Sequence, residues 1–181
     1  MAQSRADVDA RRAEHLAMNR KAWDAYQPAY MEFHLKEHPD FFEYLASGGV
    51  FLDDLEVRLA GDVTGLTVLD ACCASSADEA FSWENLGANV IACDFSPVAI
   101  EIARQNAVRL KSRVRFIVAD AQELAEIESA SVDLLYGRYL CWFEDVVSRH
   151  QAIWQVASVH RSPHQVVSGV GWRGLPDCSQ V

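Results

Sequence analysis

Three short apolar runs close on an aspartate. Residues 66–69 lead to Asp70, residues 89–93 to Asp94, and residues 114–118 to Asp120 a little further on. Helical patterns separate them. Ser75 and Ser76 offer N-caps for a helix running to residue 86, with Asp78 and Glu79 in the first turn, where the helix dipole favours anions. Gly87 stops that helix. Ser96 caps the next helix, Pro97 takes its first position, and the pattern runs to residue 110. Beyond Asp120, residues 122–128 read as a short acidic helix, 132–136 as a strand, 146–157 as a helix and 165–170 as a last strand. Strand and helix alternate about five times, which predicts an α/β fold: a parallel sheet with helices on both faces. The strands are uniformly apolar, as strands buried on both faces are. Ligands in such sheets bind at the carboxyl ends of the strands, where Asp70, Asp94, Asp120 and the Gly137-Arg138 loop fall.

Residues 1–60 read as a helical N-terminal cap. Ser4 followed by Asp7 has the form of a capping box, and the helix it opens extends to about Tyr26, with Pro28 ending or kinking it. Phe41, Phe42 and Tyr44 follow, then a Gly48-Gly49 break and helical spacing over residues 50–59. The expected division is a cap over 1–60, a sheet domain over 61–170 and an irregular tail over 171–181.

Charge narrows the partners. The 181 residues carry a formal net charge of -10, which argues against a nucleic-acid or anionic-membrane surface and leaves small molecules open. No run of about 18 apolar residues suggests a transmembrane helix, and the N-terminal stretch lacks the apolar core of a secretory signal, so a cytoplasmic location is expected. The five cysteines include an adjacent pair, Cys72-Cys73, and no repeated CxxC, so reduced thiols are expected rather than a disulfide framework or a zinc site. His34 and His38 lie four apart and read as a surface pair; no metal site is expected.

The acids give the first chemical signal. Asp94, 24 residues after Asp70, stands where a carboxylate can accept both hydroxyls of a ribose. Asp120, one strand later, can accept an exocyclic amine of adenine.

With these residues in place, the chain resembles the class I S-adenosylmethionine-dependent methyltransferases of small-molecule type over about residues 66–170. The segment VLDACCASSADEAFSWENLGANVIACDFSP is similar to the first strand, turn and second strand of that family, VRFIVADAQEL to the third-strand motif, and ASVDLLYGRYLCWFEDV to the fourth strand and its loop. NRKAWDAYQPAY resembles the helix that such enzymes fold over the cofactor. The resemblance implies a Rossmann-like sheet and S-adenosyl-L-methionine as cofactor. It implies Tyr30, Asp70, Ala71, Cys72, Ala74, Asp94, Phe95, Asp120, Ala121 and Arg138 as cofactor-binding residues, with Trp23 and Tyr26 also candidates to close over the ligand and Trp142 a candidate wall.

Two departures stand out. The family's glycine turn is replaced by Cys72, Ala74 and Ser76, each adding a β-carbon where backbone must approach a ligand and glycine's positive φ is useful. The last family strands are expected to be missing, leaving an open sheet edge for a homodimer or for a covering tail anchored by Trp172 and Leu175. The expected activity is methyl transfer to a small-molecule acceptor; the alternative is a non-catalytic relative that binds the cofactor weakly or serves as an interaction module. Positioning supplies most of the acceleration for such a transfer, so no catalytic side chain is assigned. If the acceptor is a hydroxyl or phenol, His34 is the candidate base.

Overall fold

The computed structural model describes residues 5–121, 123–138 and 166–167. Five strands form one parallel sheet: β1 (Thr67–Ala71), β2 (Asn89–Asp94), β3 (Arg115–Val118), β4 (Leu134–Tyr136) and β5 (Val166–Val167). The spatial order is β3-β2-β1-β4-β5. The chain winds outward from β1 in one direction and then, from β4, in the other. The strand order therefore reverses between β1 and β4, and a crevice opens at their carboxyl ends.

Alternate residues of each strand point to opposite faces. Val68, Val90, Ala92, Phe116 and Leu134 share one core with α4 (Asp78–Asn85) and α5 (Pro97–Leu110). Leu69, Ala71, Ile91, Cys93 and Leu135 face the other core, which Leu124, Ile127 and Val132 complete. Three helices precede the sheet: α1 (Arg5–Glu37), α2 (Phe41–Ala46) and α3 (Asp54–Ala60). Met31, Phe41, Phe42, Leu45 and Leu52 from this N-terminal part bury into the first core beside Trp83 and Ala103. Among the described residues, no helix is long and apolar enough to cross a membrane.

Pro28 neither ends nor visibly divides α1, which continues nine residues past it to Glu37. Bonds from the turn just before the proline hold the helix down. The Ser96 hydroxyl donates to Asp24 Oδ1 (2.5 Å), and the Ser75 N–H donates to Gln27 Oε1 (3.1 Å). These tertiary contacts override the proline's local cost.

Two other local expectations are corrected. Neither Ser75 nor Ser76 caps α4: the N-cap is Ala77, in the left-handed region at φ 49°. The serine hydroxyls are engaged elsewhere, Ser75 Oγ with the Gln27 carbonyl (3.3 Å) and Ser76 Oγ with Asp78 Oδ1 (2.5 Å). Residues 123–128 form turns rather than a helix. Leu124 has φ 49°, which interrupts a right-handed helix and lets both Leu124 and Ile127 bury under the sheet. Ser96 and Pro97 do open α5, with Ser96 Oγ accepting from the Ala99 N–H at 3.1 Å. Ser4, Gln122, the helix expected over 146–157, Trp142 and the tail with Trp172 and Leu175 lie outside the described residues.

Candidate functional site

The turn after β1 folds back over the end of β2. The Cys72 and Cys73 N–H groups both donate to the Cys93 carbonyl, at 2.8 and 3.0 Å, and the Ala74 N–H donates to Asp94 Oδ2 at 3.1 Å. Cys72 has φ 68° and Ala74 φ 52°. The backbone thus keeps the shape that glycine would favour, although the side chains are not glycine. Holding an L-residue there costs roughly 1–2 kcal/mol each, and these bonds over-determine the shape. Ser76, the third substituted position, does not share the positive φ; Ala77 beside it does.

Helix α1 covers this turn. Gln27 is buried against Ser75, whose carbonyl also accepts from Asn106 Nδ2 at 3.0 Å. The Tyr30 hydroxyl lies 3.4 Å from Ser76 Oγ. Between helix and turn is a cavity of about 220 Å³. Tyr30, His34 and His38 line it from α1, and Asp70, Cys72, Cys73, Ala74 and Ser76 from β1 and its turn. Asp78, Glu79, Tyr136 and Arg138 complete the wall. A second cavity, of about 260 Å³, lies at the amino ends of the strands around Thr67, Asn89 and Arg115. It is slightly larger, but none of the buried, unbonded polar atoms among the described residues belongs to its wall. The chemistry therefore concentrates in the first.

That cavity is acidic and tightly wired. Asp70 is 2% exposed, and its Oδ2 has no hydrogen-bond partner among the described residues. Burial, then the charges of Asp78, Asp94 and Glu56, push its carboxyl well above the usual range, against the pull of Arg138. Glu79 is raised well above its ordinary value by burial and by Asp78 and Asp70. Arg138 bridges two acids, Glu79 Oε1 at 2.8 Å and Glu56 Oε2 at 3.0 Å. Burial works against the Arg138 charge, but Glu79 and Glu56 outweigh it. Glu56, 4% exposed, also accepts from the Tyr136 hydroxyl (2.9 Å) and the Asp53 N–H (2.8 Å). Burial raises the Cys72 and Cys73 thiols well above their ordinary value, so both are held protonated.

The candidate cofactor residues fall into two groups. Tyr30, Asp70, Cys72, Ala74 and Arg138 meet on the cavity wall. Asp94, Phe95, Asp120 and Ala121 form a row at the ends of β2 and β3, outside that wall. Ala71 ends β1 but turns its side chain into the second core, as does Ala121. Asp94 is 6% exposed, with Oδ1 accepting from the Ser96 N–H (2.9 Å) and Oδ2 from Ala74. Burial raises its carboxyl, and these backbone donors oppose the shift. Trp23 and Tyr26 remain substantially exposed and do not line the cavity.

His34 and His38 are not a surface pair. His34 is buried and His38 half-buried, with ring centroids 4.8 Å apart, because Phe41 and Phe51 pack against them. Asp78, Glu79, Tyr136 and Glu56 join the site through tertiary packing that their places in the sequence do not announce. The i, i+4, i+8 spacing of Tyr30, His34 and His38 was the available signal for a helix face turned to the site.

Residues 68–162, more than half of the chain, match the methyltransferase domain family. The chain belongs to that family. No curated protein matches this methyltransferase-family chain. Several solved structures do. One, described by the conversion of a disulfide bond into a thioacetal group during echinomycin biosynthesis, is 31% identical over 57% of this chain and 46% of its own, with a TM-score of 0.51. A candidate S-adenosyl-L-methionine-dependent methyltransferase from Methanococcus maripaludis is 19% identical over 77% of this chain and 57% of its own, with a TM-score of 0.52. A geranyl diphosphate methyltransferase in complex with GPP and sinefungin is 18% identical over 65% and 40%, with a TM-score of 0.50. The last two likenesses show the fold alone. The chain spans about half the length of these structures.

Family membership implies S-adenosyl-L-methionine, and the donor set fits it. That cofactor carries a sulfonium and an ammonium, and Asp70 Oδ2, a buried carboxyl oxygen without a partner among the described residues, suits such a cation. The Asp94 carboxylate accepts from the Ala74 and Ser96 N–H groups, with the Phe95 N–H also acting on it, and its two oxygens offer four acceptor positions in all, which leaves room for a hydroxyl. The volume is tight: about 220 Å³ is below the ~300 Å³ at which ligand pockets usually begin, and the Cys72 and Ala74 side chains occupy part of the wall.

Proposed function

We propose that the protein is an S-adenosyl-L-methionine-dependent methyltransferase acting on a small-molecule acceptor in the cytoplasm. The observation that carries this reading is the orphaned Asp70 oxygen at the reversal of strand order, inside a chain of the methyltransferase family. The free Cys72, Cys73 and Cys93 suit a reducing compartment. The charge of -10 and the small acidic cavity favour a compact acceptor over nucleic acid.

When bound, the cofactor supplies a methyl group already activated on sulfur. The chain supplies position. Asp94 would hold the ribose hydroxyls while the Ala74 and Ser96 N–H groups keep its carboxylate fixed. Asp120 and Ala121, at the end of β3, would hold the adenine. Asp70 would balance the cofactor's positive charge, and Tyr30 with α1 closes the cavity against water. Arg138 holds Glu79 and Glu56, which fixes the wall opposite α1.

Incubation of the full chain with methyl-labelled S-adenosyl-L-methionine and a mixture of uncharged metabolites tests the reading. Label in a low-mass product supports it. Binding of S-adenosylhomocysteine without transfer to any acceptor favours the non-catalytic alternative, for which the narrowed turn is the motive.

A further inference from the structure

The cofactor reading leaves His34 unexplained. Its imidazole is 8% exposed, lines the cavity, and has an Nε2 with no hydrogen-bond partner among the described residues. A buried polar atom on a cavity wall with nothing to bond is a place for a ligand's polar group. Aromatic packing fixes the ring: Phe41 meets it edge-on at 5.0 Å, Tyr30 and His38 tilt against it at 6.0 and 4.8 Å, and Phe51 lies at 6.2 Å.

The charged surroundings select the partner. Asp78 and Glu79 of α4 and Asp70 of β1 share the cavity, with Arg138 committed to Glu79 and Glu56. Anionic ligands are therefore repelled. Burial holds the imidazole below its ordinary titration range; Asp78 opposes that shift and His38 adds to it. A neutral imidazole with its proton on Nδ1 presents a lone pair at Nε2.

We propose that His34 Nε2 accepts the hydroxyl hydrogen of an uncharged alcohol or phenol bound in this cavity, and is the catalytic base for methylation of that oxygen. The methylation half rests on the methyltransferase reading; the hydroxyl site does not. In the reaction an oxygen lone pair forms the new carbon–oxygen bond. The carbon–sulfur bond of the sulfonium donor breaks with its electrons kept on sulfur, and the hydroxyl proton ends on Nε2. Asp78 steadies the imidazolium that forms.

The test uses the full chain with 13C-labelled histidine, phenol as neutral probe and benzoate as anionic probe. Loss of one Cε1–H resonance in H34Q, checked with H34N, assigns His34. Phenol shifts that resonance saturably in the absence of cofactor, benzoate does not, and H34Q weakens phenol binding at least tenfold. The resonance titrates below the ordinary histidine value of about 6.5. With S-adenosyl-L-methionine present, H34Q lowers kcat toward phenol at least 100-fold and removes the acidic limb of its pH profile. A His34 resonance that phenol leaves unmoved, or that benzoate moves as strongly, overturns the site. An unchanged kcat in H34Q overturns the base. A phenol response in a chain that binds no S-adenosylhomocysteine overturns the methyltransferase reading and leaves the hydroxyl site standing.

Discussion

The Ala74 N–H donates to Asp94 Oδ2 at 3.1 Å, joining the turn after β1 to the acid that ends β2. The residue expected to hold a ribose also holds the backbone that must lie beside it. Cofactor affinity and turn geometry are thus coupled through one carboxylate.

That coupling separates the three turn substitutions. Cys72→Gly and Ala74→Gly remove left-handed strain of roughly 1–2 kcal/mol and add about 0.5–1 kcal/mol of unfolded-state entropy, so each leaves stability level or slightly raised. Ser76→Gly gains nothing at its φ and loses the Asp78 hydrogen bond, at a cost of about 1 kcal/mol. Urea unfolding of the three single variants checks the contrast. Equal destabilisation at all three positions contradicts it. If β-carbons narrow the site, the first two variants also bind S-adenosylhomocysteine more tightly.

Glu56 secures the wall opposite α1. Glu56→Ala strands Tyr136 and half of Arg138's pairing, and breaking a buried pair of this kind costs about 3–5 kcal/mol. Glu56→Gln keeps an acceptor for Tyr136 and loses less. Denaturation midpoints order the series wild type, Gln, Ala; an Ala variant as stable as wild type contradicts the role.

Asp70 trades stability for function. Its folded pKa lies above 3.8, so the folded chain binds more protons than the unfolded one between 3.8 and the raised value. Its stabilising contribution is complete below 3.8 and is lost as pH rises through the folded pKa. Asp70→Asn removes that loss, so the ligand-free variant melts higher than wild type at pH 7 and converges with it at low pH, while binding S-adenosyl-L-methionine more weakly. Thermal melts across pH 4–8 test this. A variant less stable at pH 7 than wild type contradicts the account.

Much of the sheet was legible because buried parallel strands announce themselves: Val68, Leu69, Ala92 and Cys93 are apolar without a break. The Ser96-Pro97 start of α5 was legible because capping is local chemistry. Pro28 misled because its local cost is overridden by Gln27 and Asp24, whose partners lie 48 and 72 residues away. Residues 123–128 misled because burial of Leu124 and Ile127 outweighs helical spacing. The row of strand-end acids could be read from spacing, whereas the cavity could not. Its wall joins Tyr30 and His34 to Glu79 and Arg138, an adjacency that only packing creates.

Calorimetric titration of the full chain with S-adenosylhomocysteine tests the central claim most directly. The account predicts saturable binding at one site per chain, weakened in Asp94→Ala by about 2–3 kcal/mol through loss of charge-assisted hydrogen bonds to the ribose. Circular dichroism establishes that the variant remains folded, since Ala74 and Ser96 also lose their acceptor. Absence of binding to the wild-type chain, or unchanged affinity in a folded Asp94→Ala variant, would contradict it.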